Sequence, residues 1–252
     1  MKRAIFGGAM TVMLGSVGLT ACSPPAPPPT DAAATRGETA AGWTRPPGIA
    51  AVRREGEGLI FSGQAEPGAR VVLRSDSGAA YAAAADERGR FEIRMAAPTG
   101  DLLLRPETQV GQDAATSPDR LLIVAGGRGP IAILRSGGPT RRLDPAPALG
   151  AVDSDGRMRL VSGRSPSAGT PVDLRAGGES GRVAPDSSGR WSLVLSPSAG
   201  ADKIRVGDRT FIWPGEGATD TGLRVERAGE GWRVIWTGSA GARQTTWLPD
   251  AS

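Results

Sequence analysis

Apolar and polar residues alternate along much of this chain in short runs. Val71 and Leu73 alternate with their neighbours in "ARVVLR", and Val172 and Leu174 do so in "TPVDLR". Phe91, Ile93 and Met95 in "RFEIRM" match Trp191, Leu193 and Leu195 in "RWSLVL". A period of two puts each set on one face of a β-strand, so these positions form the expected core. Tight turns precede the last two runs, at Asp86 to Gly89 and Asp186 to Gly189. There an Asp can accept backbone N–H bonds and a Gly can take positive φ. "RLLIVAGG" and "PIAILRSG" read as closing strands of a first unit. "KIRVGDRTFIWPG", "GLRVERAGEGWRVIWTG" and "RQTTWLP" read as hairpin strands of a second, with a turn at Gly229-Glu230-Gly231.

These runs belong to an internal repeat. "SGQAEPGARVVLR", from Ser62, aligns with "SGRSPSAGTPVDLR", from Ser162, and "DERGRFEIRM", from Asp86, with "DSSGRWSLVL", from Asp186. Composition favours many turns over long helices, with 37 Gly, 21 Pro and 4% aromatic residues in 252. The class is therefore all-β. The quoted segments resemble bacterial Ig-like and carboxypeptidase-regulatory-like modules, over roughly residues 55–100 and 155–200. The resemblance implies two tandem β-sandwiches of a kind used as spacers, stalks or adhesive units. With one cysteine in the chain, the disulfide-pinned antibody variety is excluded.

The N-terminal part is kept out of the fold. Lys2 and Arg3 precede an uncharged apolar stretch of signal-peptide length, shorter than the ~20 strongly apolar residues a membrane span needs. It ends in Leu19-Thr20-Ala21-Cys22, which resembles the lipobox of bacterial lipoproteins. The resemblance implies cleavage before Cys22 and a diacylglycerol on its thiol. With Ser23 after it, the family's sorting pattern points to the outer membrane, facing the periplasm or the exterior. Several acyl chains would anchor stably, at ~0.8 kcal/mol per buried CH₂. The Pro- and Ala-rich stretch that follows has little to bury and suits a disordered tether, extending to ~80 Å if polyproline II. Trp43 is its lone aromatic, expected to dock on the first sandwich or on a partner. The expected organisation is 1–21 signal peptide, 22–50 tether, 51–138 first sandwich, 139–150 linker and 151–252 second sandwich.

Chemistry narrows the function. The chain has no His, and lipid on Cys22 would consume its only thiol, which removes His-based triads and metal sites. No metal or cofactor is expected besides the covalent lipid. A two-carboxylate glycoside hydrolase needs only paired acids, yet the acids fall mainly at turns, so it ranks last. "GRGPIA", Gly127 to Ala132, has Pro130 where a nucleotide-binding helix would begin and reads as a hairpin turn. "DSDG", Asp153 to Gly156, lacks the glutamate of a calcium loop, Arg164 standing in its place, and reads as a turn. Removing Lys2 and Arg3 from the formal +4 leaves +2. The arginines are spread through turns and strands, unlike the clustered patch of a nucleic-acid binder.

The expected protein is thus a lipid-anchored bacterial envelope protein, non-catalytic, acting as an interaction or spacer module on an envelope protein or glycan. The alternative is a cell-wall or surface-polysaccharide module using Trp232, Trp236 and Trp247 as contacts. Trp232, Val234 and Trp236 share a face at period two, which suits a core as well as a platform. Rings buried in the fold would remove the glycan alternative.

Overall fold

The computed structural model describes residues 44–251, apart from 166, 168, 199, 219–221, 239 and 240. Cys22, Trp43, the expected signal peptide and most of the expected tether lie outside the described residues. The fold is all-β and antiparallel. In the first half, β1 (Gly48–Glu55), β2 (Gly58–Gln64) and β5 (Arg90–Ala96) form a sheet in the order β1-β2-β5. Facing it are β3 (Arg70–Ser75), β4 (Ala80–Ala84), β6 (Leu102–Val110), β8 (Arg120–Ile123), β9 (Ile131–Leu134) and β10 (Arg141–Arg142), ordered β10-β9-β8-β6-β3-β4. A short β7 (Asp113–Thr116) turns back onto β6.

The second half repeats the plan. β11 (Leu149–Ser154), β12 (Arg159–Arg164) and β15 (Arg190–Leu195) match β1-β2-β5. β13 (Val172–Ala176), β14 (Glu179–Val183), β16 (Asp202–Val206) and β17 (Arg209–Trp213), ordered β14-β13-β16-β17, match β4-β3-β6-β8. Each pair of sheets encloses its own apolar core, the arrangement of an immunoglobulin-like β-sandwich. Phe61, Val71, Leu73, Phe91, Ile93 and Met95 fill the first; Val161, Leu174, Trp191 and Leu195 fill the second, with Val172 and Leu193 half-buried at its edge.

The copies agree down to individual backbone features. Asp86 Oδ1 accepts the N–H of Arg88 and Arg90 at 2.9 and 2.8 Å. Asp186 Oδ1 accepts those of Ser188 and Arg190 at 2.8 and 2.9 Å. These bonds hold both carboxyls below the usual range, Asp186 further because the Ser188 hydroxyl adds a bond, its largest cause. Both first strands carry a register shift, at Ile49/Ala51 and Leu149/Ala151. Opposite each shift stands a glycine under an aromatic ring. A Cβ on Gly63 would come within 2.1 Å of the Gly48 carbonyl and 2.6 Å of Phe91; on Gly163, within 2.0 Å of the Ala148 carbonyl and 2.7 Å of Trp191. No larger residue fits at either place without moving backbone.

What differs is where extra strands attach. The first sandwich extends its larger sheet with β9 and β10. The second extends its β15-β12-β11 sheet with β20 (Arg243–Pro249), β19 (Gly231–Thr237) and β18 (Arg224–Arg227). The outward faces of these additions meet. Leu122, Val124, Ala132 and Leu134 from the first half pack with Ala151, Val234, Trp236 and Leu248 from the second in a third buried cluster. Along β8 and β9, alternate residues serve different cores: Leu121, Ile123, Ile131 and Ile133 face the first sandwich, and Leu122, Ala132 and Leu134 face this seam. That is why these strands read as continuous apolar runs.

The segment expected as a linker, 139–150, is therefore built into structure. Arg141 and Arg142 pair with Ile133 and Ala132 as β10, and Leu149 and Gly150 open β11. The N–H of Leu143 bonds the Ile131 carbonyl at 2.8 Å, and Arg142 reaches the Pro249 carbonyl at 2.9 Å. "DSDG" is also only half a turn, because Asp153 and Ser154 are buried strand residues of β11. No helix among the described residues is long and apolar enough to cross a membrane.

Candidate functional site

The tryptophans singled out in the sequence do not assemble into an exposed platform. Trp247 points into the second sandwich, 1% exposed, with its indole N–H on the Ala228 carbonyl at 3.0 Å. Trp236 lies in the seam, also 1% exposed, donating to Thr246 Oγ1 at 3.2 Å. Trp232 shares the seam face with Val234 and Trp236, as period two requires, and is half-buried. The Arg227 guanidinium covers its ring at 5.0 Å and is itself paired with Asp250 at 2.6 Å. Two of the three rings have no face to offer a sugar, and the third is capped.

The seam also holds a polar chain that the sequence does not announce. Asp153, on the same face of β11 as Ala151, is buried. Its Oδ1 accepts the hydroxyls of Thr140 and Thr246 at 2.6 and 2.7 Å, and its Oδ2 accepts the Thr140 N–H at 2.8 Å. Burial raises its pKa to about 6, and the three donated bonds only partly oppose that. Ser162 Oγ completes the chain by donating to the Thr140 carbonyl at 3.1 Å. Residues of β11, β12 and β20 thereby clamp Thr140, in the segment between the sandwiches.

Beside this clamp the two halves and the connecting segment line a cleft of about 1280 Å³. The first half contributes Pro106, Asp119 and Arg135, the connecting segment Arg141 and Arg142, and the second half Arg164 and Arg190 with Trp191. Its lining includes five arginines and three aspartates. Arg142 is buried and paired with Asp144, Nε to Oδ1 at 2.8 Å. Arg135 faces Asp119 at 3.4 Å and Arg190 faces Asp186 at 2.9 Å through its backbone N–H, the arginine side chains about half exposed. Arg141 and Arg164 bond only to carbonyls: Arg141 to those of Ile49 and Ala50, and Arg164 to that of Ser188 at 3.1 Å. Burial first, then the neighbouring Arg190 and Arg135, push the Arg141 guanidinium below its usual value. The Trp191 indole N–H, also buried, has no hydrogen-bond partner.

Sequence reasoning missed this convergence because the arginines stand on β10, β12, β15 and the turn after β9, up to 55 positions apart. They meet only once the connecting segment folds into β10. The one local signal is Arg141-Arg142 inside a stretch that otherwise reads as a Pro- and Gly-rich spacer.

Among the described residues no three His, Cys, Asp or Glu side chains group as a metal site. No family model and no curated protein matches the chain. Among solved structures it is similar to the central fibronectin-III array of RIM-binding protein, at 13% identity, over 78% of this chain and 74% of that one, with a TM-score of 0.26. So loose a superposition carries no argument about activity, and the fold class rests on the sheets described above.

Proposed function

We propose that this chain is a lipid-anchored envelope protein, non-catalytic, whose two sandwiches act together as one stiff interaction or spacer body. The observation that carries the reading is the seam. Eight buried residues drawn from both halves, with the Asp153–Thr140 clamp at their edge, replace a free hinge by a packed apolar layer. An interface of this kind opposes the independent motion otherwise expected of tandem domains. Cys22 in Leu19-Thr20-Ala21-Cys22 supplies the anchor, and the Pro-rich stretch after it holds the body away from the bilayer. The tryptophan platform of the glycan alternative finds no support in the packing of Trp236 and Trp247.

The anchor is tested by fractionation. Wild type should stay with membranes through an alkaline wash and a Cys22→Ala chain should be released. Retention of Cys22→Ala would overturn the lipoprotein reading.

A further inference from the structure

The cleft between the sandwiches carries five arginines against three aspartates. Each buried or half-buried cation elsewhere in the second half has an acid beside it, as Arg159 has Asp202 at 2.7 Å and Arg233 has Glu226 at 2.7 Å. In the cleft the half-buried Arg141 and the exposed Arg164 have carbonyls instead. A guanidinium carries five N–H donors, and neither side chain uses more than two in the bonds named above. Arg135 and Arg190, the other exposed cations of the cleft, hold their aspartates in half-exposed pairs, which are weak and open to exchange. A partly desolvated excess of positive charge is costly unless an anion relieves it.

We propose that this cleft binds an anionic polysaccharide, whose carboxylate or phosphate groups lie between the guanidinium forks of Arg141 and Arg164. Guanidinium geometry matches both groups through paired N–H bonds. A polymer chain fits the shape better than a membrane does. The arginines come from both halves and the connecting segment around one cleft, which a flat headgroup layer does not enter, and the half-buried Pro139 and Pro185 give it apolar faces for sugar rings. The inference rests on the interaction-module reading above and names the partner of that module.

The test is calorimetric titration of the full chain in neutral detergent at low salt. The probes are polygalacturonate, a ribitol-phosphate polymer, neutral dextran, and mixed micelles of the same detergent with phosphatidylglycerol. At least one charged polymer should bind, more weakly as salt rises, and dextran should not. Arg135→Gln with Arg164→Gln should lower that affinity about tenfold or more, while the remote exposed pair Arg74→Gln with Arg94→Gln, the same change in net charge, should lower it less than about twofold. Arg141 is left intact because it also ties β10 to the carbonyls of Ile49 and Ala50. Equal losses in both pairs, binding to neither polymer, or tighter cleft-dependent binding to the phosphatidylglycerol micelles would each overturn the proposal. Because the detergent keeps every form in solution, the titration does not depend on Cys22 and is read apart from the fractionation test.

Discussion

At one end of each sandwich the same backbone positions are filled with opposite chemistry. Leu59 pairs with Met95, and Leu102 with Ile123. At the matching places of the second copy, Arg159 pairs with Leu195, and Asp202 with Trp213. The first copy fills the space with hydrocarbon, Leu59 being wholly buried. The second holds an Arg159–Asp202 ion pair at 2.7 Å, a bond from Arg159 to the Ser196 carbonyl at 2.8 Å, and the Trp213 ring 5.0 Å from the guanidinium. The strand order is the same in both. Topology is therefore set by turns, glycines and alternation, and the end of the sandwich core accepts either solution provided that it is complete.

That comparison breaks most sharply at its charged member. Arg159→Ala should cost about 3–5 kcal/mol, because it leaves Asp202 desolvated without its cation. Arg159→Leu combined with Asp202→Leu rebuilds the chemistry of the first copy and should be neutral or stabilising by about 1–4 kcal/mol. Urea unfolding of the three proteins checks both. A double variant as unstable as Arg159→Ala would mean that the second sandwich needs the ion pair for its shape.

Much of the common plan was legible in the chain. The offset between Asp86 and Asp186, the turn glycines and the alternation at Phe91 and Trp191 depend on neighbours a few residues away, and such signals survive in sequence. The seam was not legible. Leu122 and Leu134 look like core residues of one sandwich, and only the addition of β9 on one side and β20 on the other turns them toward a second core. Trp236 was readable as buried but not as an interface residue. The cleft was still less visible, since Arg135, Arg141, Arg164 and Arg190 act through proximity that no local pattern encodes.

A smaller effect separates the seam from both sandwich cores. Asp153 has no counterpart acid in the first half, where position 53 is the exposed Arg53. Its folded pKa of about 6 stands above the unfolded 3.8, so its contribution favours the folded state fully below 3.8 and is lost as pH rises through 6. The whole swing is about 3 kcal/mol, roughly half of it between about pH 5 and pH 8. Asp86, Asp186 and Asp250 have lowered values, so their contributions run the other way, present at neutral pH and lost as pH falls. The difference between wild type and Asp153→Asn isolates the seam: the variant should gain on wild type as pH rises over that range. A constant difference would mean that Asp153 is solvated.

Smallest of all, Arg227→Ala should cost about 1 kcal/mol or less, the sum of an exposed ion pair and a ring contact at the rim of the seam. A loss several times larger in chemical unfolding would place Trp232 among the residues that hold the halves together.

The central claim, that two copies of one sandwich are welded into a single body, is met most directly by equilibrium unfolding followed with two probes. With Trp43 replaced by Phe throughout, the remaining tryptophans, from Trp191 to Trp247, all stand in the second half, and amide exchange in β2, β3 and β5 reports on the first. The account predicts coincident transitions in wild type and separated ones in Trp236→Ala, where the seam loses its largest side chain. Separated transitions in wild type would contradict it.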